Sequence, residues 1–133
     1  MLVPDRIAVS RNLPWMNGTT VSLDHSGRVT RFHMGGDQPP EEFTHKTVNM
    51  YSFSRPSWRR VTRRLEQYVS TGRVNGYYEA VFAEMIADGD LSFEAVFFDN
   101  RRWYEIDTLE DLRNAEQLFR RNDARLTSFA VGP

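Results

Sequence analysis

The spacing of apolar residues changes at Ser54, and that change limits the fold more than any other feature. Between Thr19 and Phe53 apolar side chains recur at alternate positions, the signature of strands with one buried face. From Ser54 to about Asp88 they recur every three or four positions, the signature of helices. Thr19–Asp24 reads as a strand, His25-Ser26-Gly27 as a tight turn and Arg28–His33 as the hairpin partner. Met34–Thr44, with Gly35, Gly36, Pro39 and Pro40, reads as a loop. Lys46–Phe53 carries apolar residues on both faces, as a strand covered on each side does.

Ser54 is a suitable N-cap, Pro56 fits a first helical turn and Gly72 a left-handed C-terminal cap. Between them Trp58, Val61, Leu65 and Tyr68/Val69 form an apolar stripe. A second helix is expected from about Tyr77 to Asp88, burying Tyr78, Phe82, Met85 and Ile86 or their neighbours, with Gly89 ending it. Leu91–Phe98 and Trp103–Asp107 read as strands. Thr108 then caps a last helix with Asp111 as capping-box partner, and Leu109, Leu112, Ala115 and Phe119 as its buried stripe. Trp58 and Trp103 are expected in the core. Residues 1–12 and 122–133 are weakly patterned and are expected to be weakly structured ends of one domain, 1–133. The order is β-β-β-α-α-β-β-α, an α/β mixed sheet. It opens on a strand pair rather than a βαβ unit, like the back half of a larger domain.

Composition removes several chemistries. Zero cysteines exclude disulfides, thiolate zinc sites and cysteine nucleophiles. His25, His33 and His45 lack metal-ligand spacing. A net charge of −1 argues against a general nucleic-acid binder, and no apolar run reaches a membrane span of about 18 residues. The expectation is a soluble, cytoplasmic protein acting through carboxylates, arginines, hydroxyls and backbone. Sixteen of the 17 basic residues are arginine, Lys46 being the exception. Arg55, Arg59 and Arg63 recur at helical spacing and read as a solvated face, with Arg60 and Arg64 beside them.

Glu105 and Asp107 are the most suggestive pair. Two positions apart on a strand, they would point to one face just before a capped helix, where ligands bind in open α/β sheets. Two hard oxygen ligands there could hold Mg²⁺ against a triphosphate. Equally, Asp107 and Thr108 could only shape the turn while Glu105 is solvated.

Lys46-Thr47-Val48-Asn49-Met50-Tyr51-Ser52-Phe53, Tyr77-Tyr78-Glu79, and Trp103–Leu112 with Ala115-Glu116 resemble the C-terminal half of a nucleotidyltransferase family. Its members include the phosphocholine and aminoalkylphosphonate cytidylyltransferases, related to sugar-phosphate nucleotidylyltransferases. The resemblance runs from about Leu13 to Phe119, and its most specific part is Tyr-Glu-Ile-Asp-Thr. It implies a Rossmann-like three-layer mixed sheet of which only the C-terminal half is present. It implies Mg²⁺ at Glu105 and Asp107, and substrate contacts from Trp15, Tyr77, Tyr78 and Glu79, the aromatics facing a cationic amine and Glu79 neutralising it. The implied reaction transfers CMP or another NMP from an NTP, CTP first, to a small phosphorylated or phosphonate alcohol or amine, releasing pyrophosphate. The family's Gly-rich nucleotide loop, with its arginine and lysine, and its first metal-binding aspartate have no counterpart here. The isolated chain is therefore expected to be inactive, and to self-associate or pair with a partner that supplies the missing half. The competing reading is a non-catalytic remnant or accessory interaction domain.

Overall fold

The computed structural model describes residues 4–36, 38–99 and 102–128, with side chains to residue 120. The strands are β1 (Asp5–Arg11), β2 (Thr20–Leu23), β3 (Val29–His33), β4 (His45–Ser52) and β5 (Phe93–Phe97); the helices are α1 (Arg55–Ser70), α2 (Glu79–Ala87) and α3 (Leu109–Ser128). A short 3₁₀ turn at Glu41–Phe43 breaks the loop before β4. The chain divides into two compact units, Met1–Arg101 and Arg102–Pro133. No helix among the described residues is long and apolar enough to cross a membrane.

The architecture is mixed α/β, with a five-stranded sheet ordered β3-β2-β4-β1-β5. Only β1 and β5 run parallel; every other neighbouring pair is antiparallel. The two outermost strands also approach each other, since Ala95 donates to the Gly27 carbonyl at 2.8 Å beside an Arg28–Glu94 bridge.

Strand β1 corrects the expectation of a weakly structured start. It lies between β4 and β5, with Ile7 and Val9 fully buried and Ala8 nearly so. A strand buried on both faces loses its alternation, so Ile7-Ala8-Val9 shows none. The far end differs too: α3 continues to Ser128. Residues 1–3 and 129–133 lie outside the described residues.

One face of the sheet is apolar. Ile7, Val9, Val21, Phe32 and Phe93 pack with Val61 of α1 and with Val81, Phe82 and Met85 of α2. Phe82 is the hub, its ring centroid 5.1 Å from Tyr51, 5.6 Å from Phe93 and 5.7 Å from Phe53.

Local chemistry sets the helix limits. Ser54 Oγ accepts from Ser57 N–H at 3.3 Å at the start of α1. At its end Arg73 N–H reaches the Tyr68 carbonyl and Gly72 N–H reaches Val69, with Gly72 at φ +76°, the Schellman closure. Helix α2 closes identically, Asp90 to Met85 and Gly89 to Ile86, with Gly89 at φ +77°.

Three packing expectations are revised. Trp58, leaning on Phe53 at 5.6 Å, stays 52% exposed. Tyr78 is likewise 42% exposed. In the second unit only Ala115 of the α3 stripe is buried, whereas Leu109, Leu112 and Phe119 are exposed.

Candidate functional site

Register produces a feature that spacing alone hides. Ser10 of β1 lies opposite Lys46 of β4, Lys46 opposite Thr20 of β2, and Thr20 opposite His33 of β3. These four polar residues form a row across the sheet, on the face opposite the core because strand side chains alternate. All four are buried, Lys46 to 2% exposure. The Lys46 ammonium donates to the Thr47 carbonyl at 3.3 Å. His33 Nε2 lies 2.7 Å from Ser22 Oγ. Burial, then the Arg31 charge, push the His33 pKa below its ordinary 6.5.

Two connections cover this row. Gln38 clamps one of them, accepting from Thr20 Oγ1 at 2.5 Å and donating to the His33 and Gly35 carbonyls at 3.1 Å. The turn after β1 supplies the other and is anchored by Asn12 Nδ2 donating to Thr44 Oγ1 at 2.9 Å. Between them opens a cavity of about 390 Å³, lined in part by Asn12, Asn17, Gly18, Thr20, Gln38 and Glu41. Gly18 adopts φ +101°, and a Cβ there would sit 3.0 Å from Lys46 Nζ. Gly18, one of the lining residues, thus packs closely against the Lys46 side chain.

A second locus surrounds the start of α2. Three residues of β4, Val48 to Met50, oppose the single Ala8 of β1. This bulge holds Asn49 at φ +57°, a left-handed conformation that non-glycine residues adopt mainly under tertiary constraint. Asn49 Oδ1 accepts from Thr47 Oγ1 and from the Tyr78 hydroxyl, each at 3.4 Å. Tyr78 also meets Tyr51 edge-on at 6.0 Å and Phe82 at 5.4 Å. Next to it Glu79 is 6% exposed, and its Oε2 has no hydrogen-bond partner among the described residues. Residues 77 and 78 precede α2 rather than belonging to it, which frees their rings from the helix stripe.

Of the expected substrate contacts, Tyr78 and Glu79 come together here. Tyr77, 75% exposed, lines a different open cavity of about 350 Å³ with Tyr68, Arg73 and Val74. Trp15 lies on the turn after β1, beyond the Arg11–His45 end of the sheet, away from the Tyr51 end of β4.

The Mg²⁺ expectation is overturned. Among the described residues no group of three His, Cys, Asp or Glu side chains converges to hold a metal ion. Trp103–Asp107 forms no strand, so nothing aligns Glu105 and Asp107 by strand alternation. The capping expectation nearby holds instead. Asp111 Oδ2 accepts from the Asp107 and Thr108 N–H groups at 3.1 and 2.9 Å and from the Thr108 hydroxyl at 2.8 Å. Thr108 Oγ1 accepts in return from Asp111 N–H at 3.1 Å. These bonds hold the Asp111 carboxyl below its usual range, the Thr108 hydroxyl contributing most.

The row built on Lys46 was missed by sequence reasoning. Its signal was Thr20 and Ser22 alternating with Val21 and Leu23, but only the pairing register joins Ser10, Lys46 and His33 to them. No protein-family model, no curated protein and no solved structure matches this chain.

Proposed function

We propose that this chain is the acceptor-binding portion of a nucleotidyltransferase that transfers CMP or another NMP from an NTP to a small phosphorylated or phosphonate amine, with release of pyrophosphate. The observation that carries the proposal is Glu79. A carboxylate 6% exposed with one oxygen unpartnered is unfavourable in a folded protein unless something offsets it. A ligand ammonium supplies the missing charge, and the adjacent Tyr78 ring, half-exposed and fixed by Tyr51, Phe82 and Asn49, offers a face worth about 0.5–2 kcal/mol to such a cation. In this scheme Glu79 and Tyr78 bind and orient the amine. The nucleotide is held by residues outside these 133, since no Gly-rich nucleotide loop occurs among them. The reaction is an in-line displacement at phosphorus, for which positioning supplies much of the rate.

Support for a larger assembly comes from β4. It pairs with β1 along most of its length, but with β2 only at His45 and Lys46, leaving its second half without a strand on that side among the described residues. A second reading, a non-catalytic interaction domain, is favoured by the exposed apolar side chains Val69, Val74 and Tyr77 around the α1–α2 connection.

Calorimetric titration with 2-aminoethylphosphonate, phosphocholine and their phosphorus-free counterparts, ethanolamine and choline, separates the readings. Saturable binding of the amines, weakened roughly tenfold or more in Glu79→Gln, supports the acceptor site. Absence of amine binding, with association through the Val69–Tyr77 surface, supports the interaction domain.

A further inference from the structure

We infer that the outer face of α1, built from Arg55, Trp58, Arg59 and Arg63, binds single-stranded nucleic acid. This inference stands apart from the reading of Glu79 as an amine site and does not rest on it. The structure divides the arginines of α1 into two sets. Arg60 and Arg64 are engaged: Arg60 donates to the Asp90 carbonyl and the Ser57 hydroxyl, and Arg64 pairs with Glu84, Asp88 and Asp90. Arg55, Arg59 and Arg63 are exposed and make no ion pair among the described residues. Spaced four apart, they are neighbours on the helix surface, and Trp58 borders their row at the i+3 position from Arg55.

Two features of this face cost the chain stability on its own. Every arginine of α1 lies at or before Arg64, with no acidic residue in the first turn and no basic residue in the last. That is the reverse of what the helix dipole favours, and like charges at i, i+4 repel as well. An anionic partner turns both terms favourable. The other feature is Trp58, which is 52% exposed although Phe53 supports its ring at 5.6 Å. Phe53 in turn stacks on Tyr51, with 6.2 Å between centroids and 20° between planes. An indole fixed by an aromatic stack and open to water is a platform for an unpaired base.

The combination selects the partner. Exposed guanidinium groups are screened by water, so one small anion gains little from any of them. A polyanion engages several at once and releases its condensed counterions. Arginines four residues apart lie about 6 Å apart along the axis, so each can meet its own phosphate. An acidic peptide supplies the charge but no planar base for Trp58, and a duplex keeps its bases stacked inside. A bilayer needs a broad apolar face, whereas the apolar stripe of α1 is spent on the core through Val61, Leu65 and Tyr68. The net charge of −1 confines the attraction to this face.

The test is fluorescence anisotropy with the full 133-residue chain and labelled single strands of about 12 nucleotides, oligo-dT and oligo-U, at several salt concentrations. Saturable binding is expected, and the preference between the two strands tells DNA from RNA. Phosphates at Arg55, Arg59 and Arg63 give a slope of log affinity against log salt of about −2. Arg59→Gln combined with Arg63→Gln should weaken binding at low salt about tenfold or more and bring the slope to about −0.7. Trp58→Ala should weaken binding about fivefold or more and leave the slope unchanged. The arginine variant, confined to exposed side chains, keeps the test decisive should Trp58→Ala not fold. The inference is overturned by absence of saturable binding, or by undiminished binding in the arginine variant or in a folded Trp58→Ala. Equal or tighter binding of a duplex of the same length, a glutamate peptide of matched charge or phosphatidylserine vesicles would overturn it too.

Discussion

The Asp5 carboxylate, at the first position of β1, accepts a hydrogen bond from the backbone N–H of Ser54 at 2.6 Å across 49 residues of sequence. Ser54 is the N-cap of α1, so one side chain fastens the start of β1 to the start of the longest helix of its unit. Asp5 N–H meanwhile donates to the Ser92 carbonyl at 2.7 Å, tying the same residue to the entry of β5. Asp5 is 4% exposed, and removing its carboxylate strands the Ser54 donor. Asp5→Ala is therefore expected to lower stability by about 1–3 kcal/mol. In a unit of this size that is a fall in Tm of roughly 4 °C or more, measurable by calorimetry. An unchanged Tm would show that β1 is held without this bond.

That contact marks where sequence reading stops. The β2–β3 hairpin, β4, the Ser54 cap, both glycine closures and the Thr108–Asp111 box are local, and local chemistry shows in neighbouring residues. Strand β1 was invisible because Ile7-Ala8-Val9 is buried on both faces and its partners lie some 40 and 88 residues away. The Trp103–Asp107 segment misled for the opposite reason: its composition is strand-like, yet no strand pairs with it among the described residues. The site divides in the same way. Tyr78 and Glu79 are sequence neighbours and were found together, whereas the Ser10–Lys46–Thr20–His33 row exists only through register.

Glu79 offers a test in which function and stability move apart. A buried carboxylate with an unpartnered oxygen costs stability in the protein that carries it. Glu79→Gln keeps the shape and removes the charge, so Tm should rise while amine binding falls. A fall in both would make Glu79 an ordinary structural residue with its partner still to be found.

Asn49 separates strain from contact. Glycine accepts φ +57° freely, whereas a β-branched side chain there costs about 1–2 kcal/mol. Asn49→Gly should hold or raise Tm, and Asn49→Val should lower it. Both remove the acceptor for the Tyr78 hydroxyl, so both should loosen the Tyr78 ring, seen as a sharper, more exposed tyrosine signal in NMR. Equal stability of the two variants would mean that the bulge relaxes in solution.

Arg64 joins α1 to the end of α2. Its guanidinium lies 2.9 Å from Asp88, 3.0 Å from Asp90 and 3.3 Å from Glu84, and its pKa is raised, chiefly by the Asp88 hydrogen bond. A networked arginine of this kind exceeds an isolated surface pair but remains partly screened. Arg64→Met should lower stability by about 1 kcal/mol, and the deficit should shrink in high salt. A deficit independent of salt would assign the role of Arg64 to the packing of its stem.

His33 gives the fold a pH dependence whose sign follows from its surroundings. Burial, seconded by Arg31, lowers its pKa below 6.5 in the folded chain, while the unfolded chain keeps the ordinary value. Between the two pKa values the unfolded state binds the extra proton, so stability rises with pH across that window. Above about pH 6.5 both states hold neutral imidazole and the term is constant. Below it the unfolded state is increasingly favoured, until the folded imidazole also protonates. Thermal midpoints of wild type and His33→Gln, compared from about pH 5 to pH 8, isolate this residue from the carboxylates. The wild type should lose stability on acidification relative to the variant, which can keep a hydrogen bond to Ser22 without titrating. Parallel curves would mean that His33 is protonated as readily in the folded chain as in the unfolded one, with Ser22 accepting its Nε2 proton at 2.7 Å and the polar face wet enough to solvate the charge.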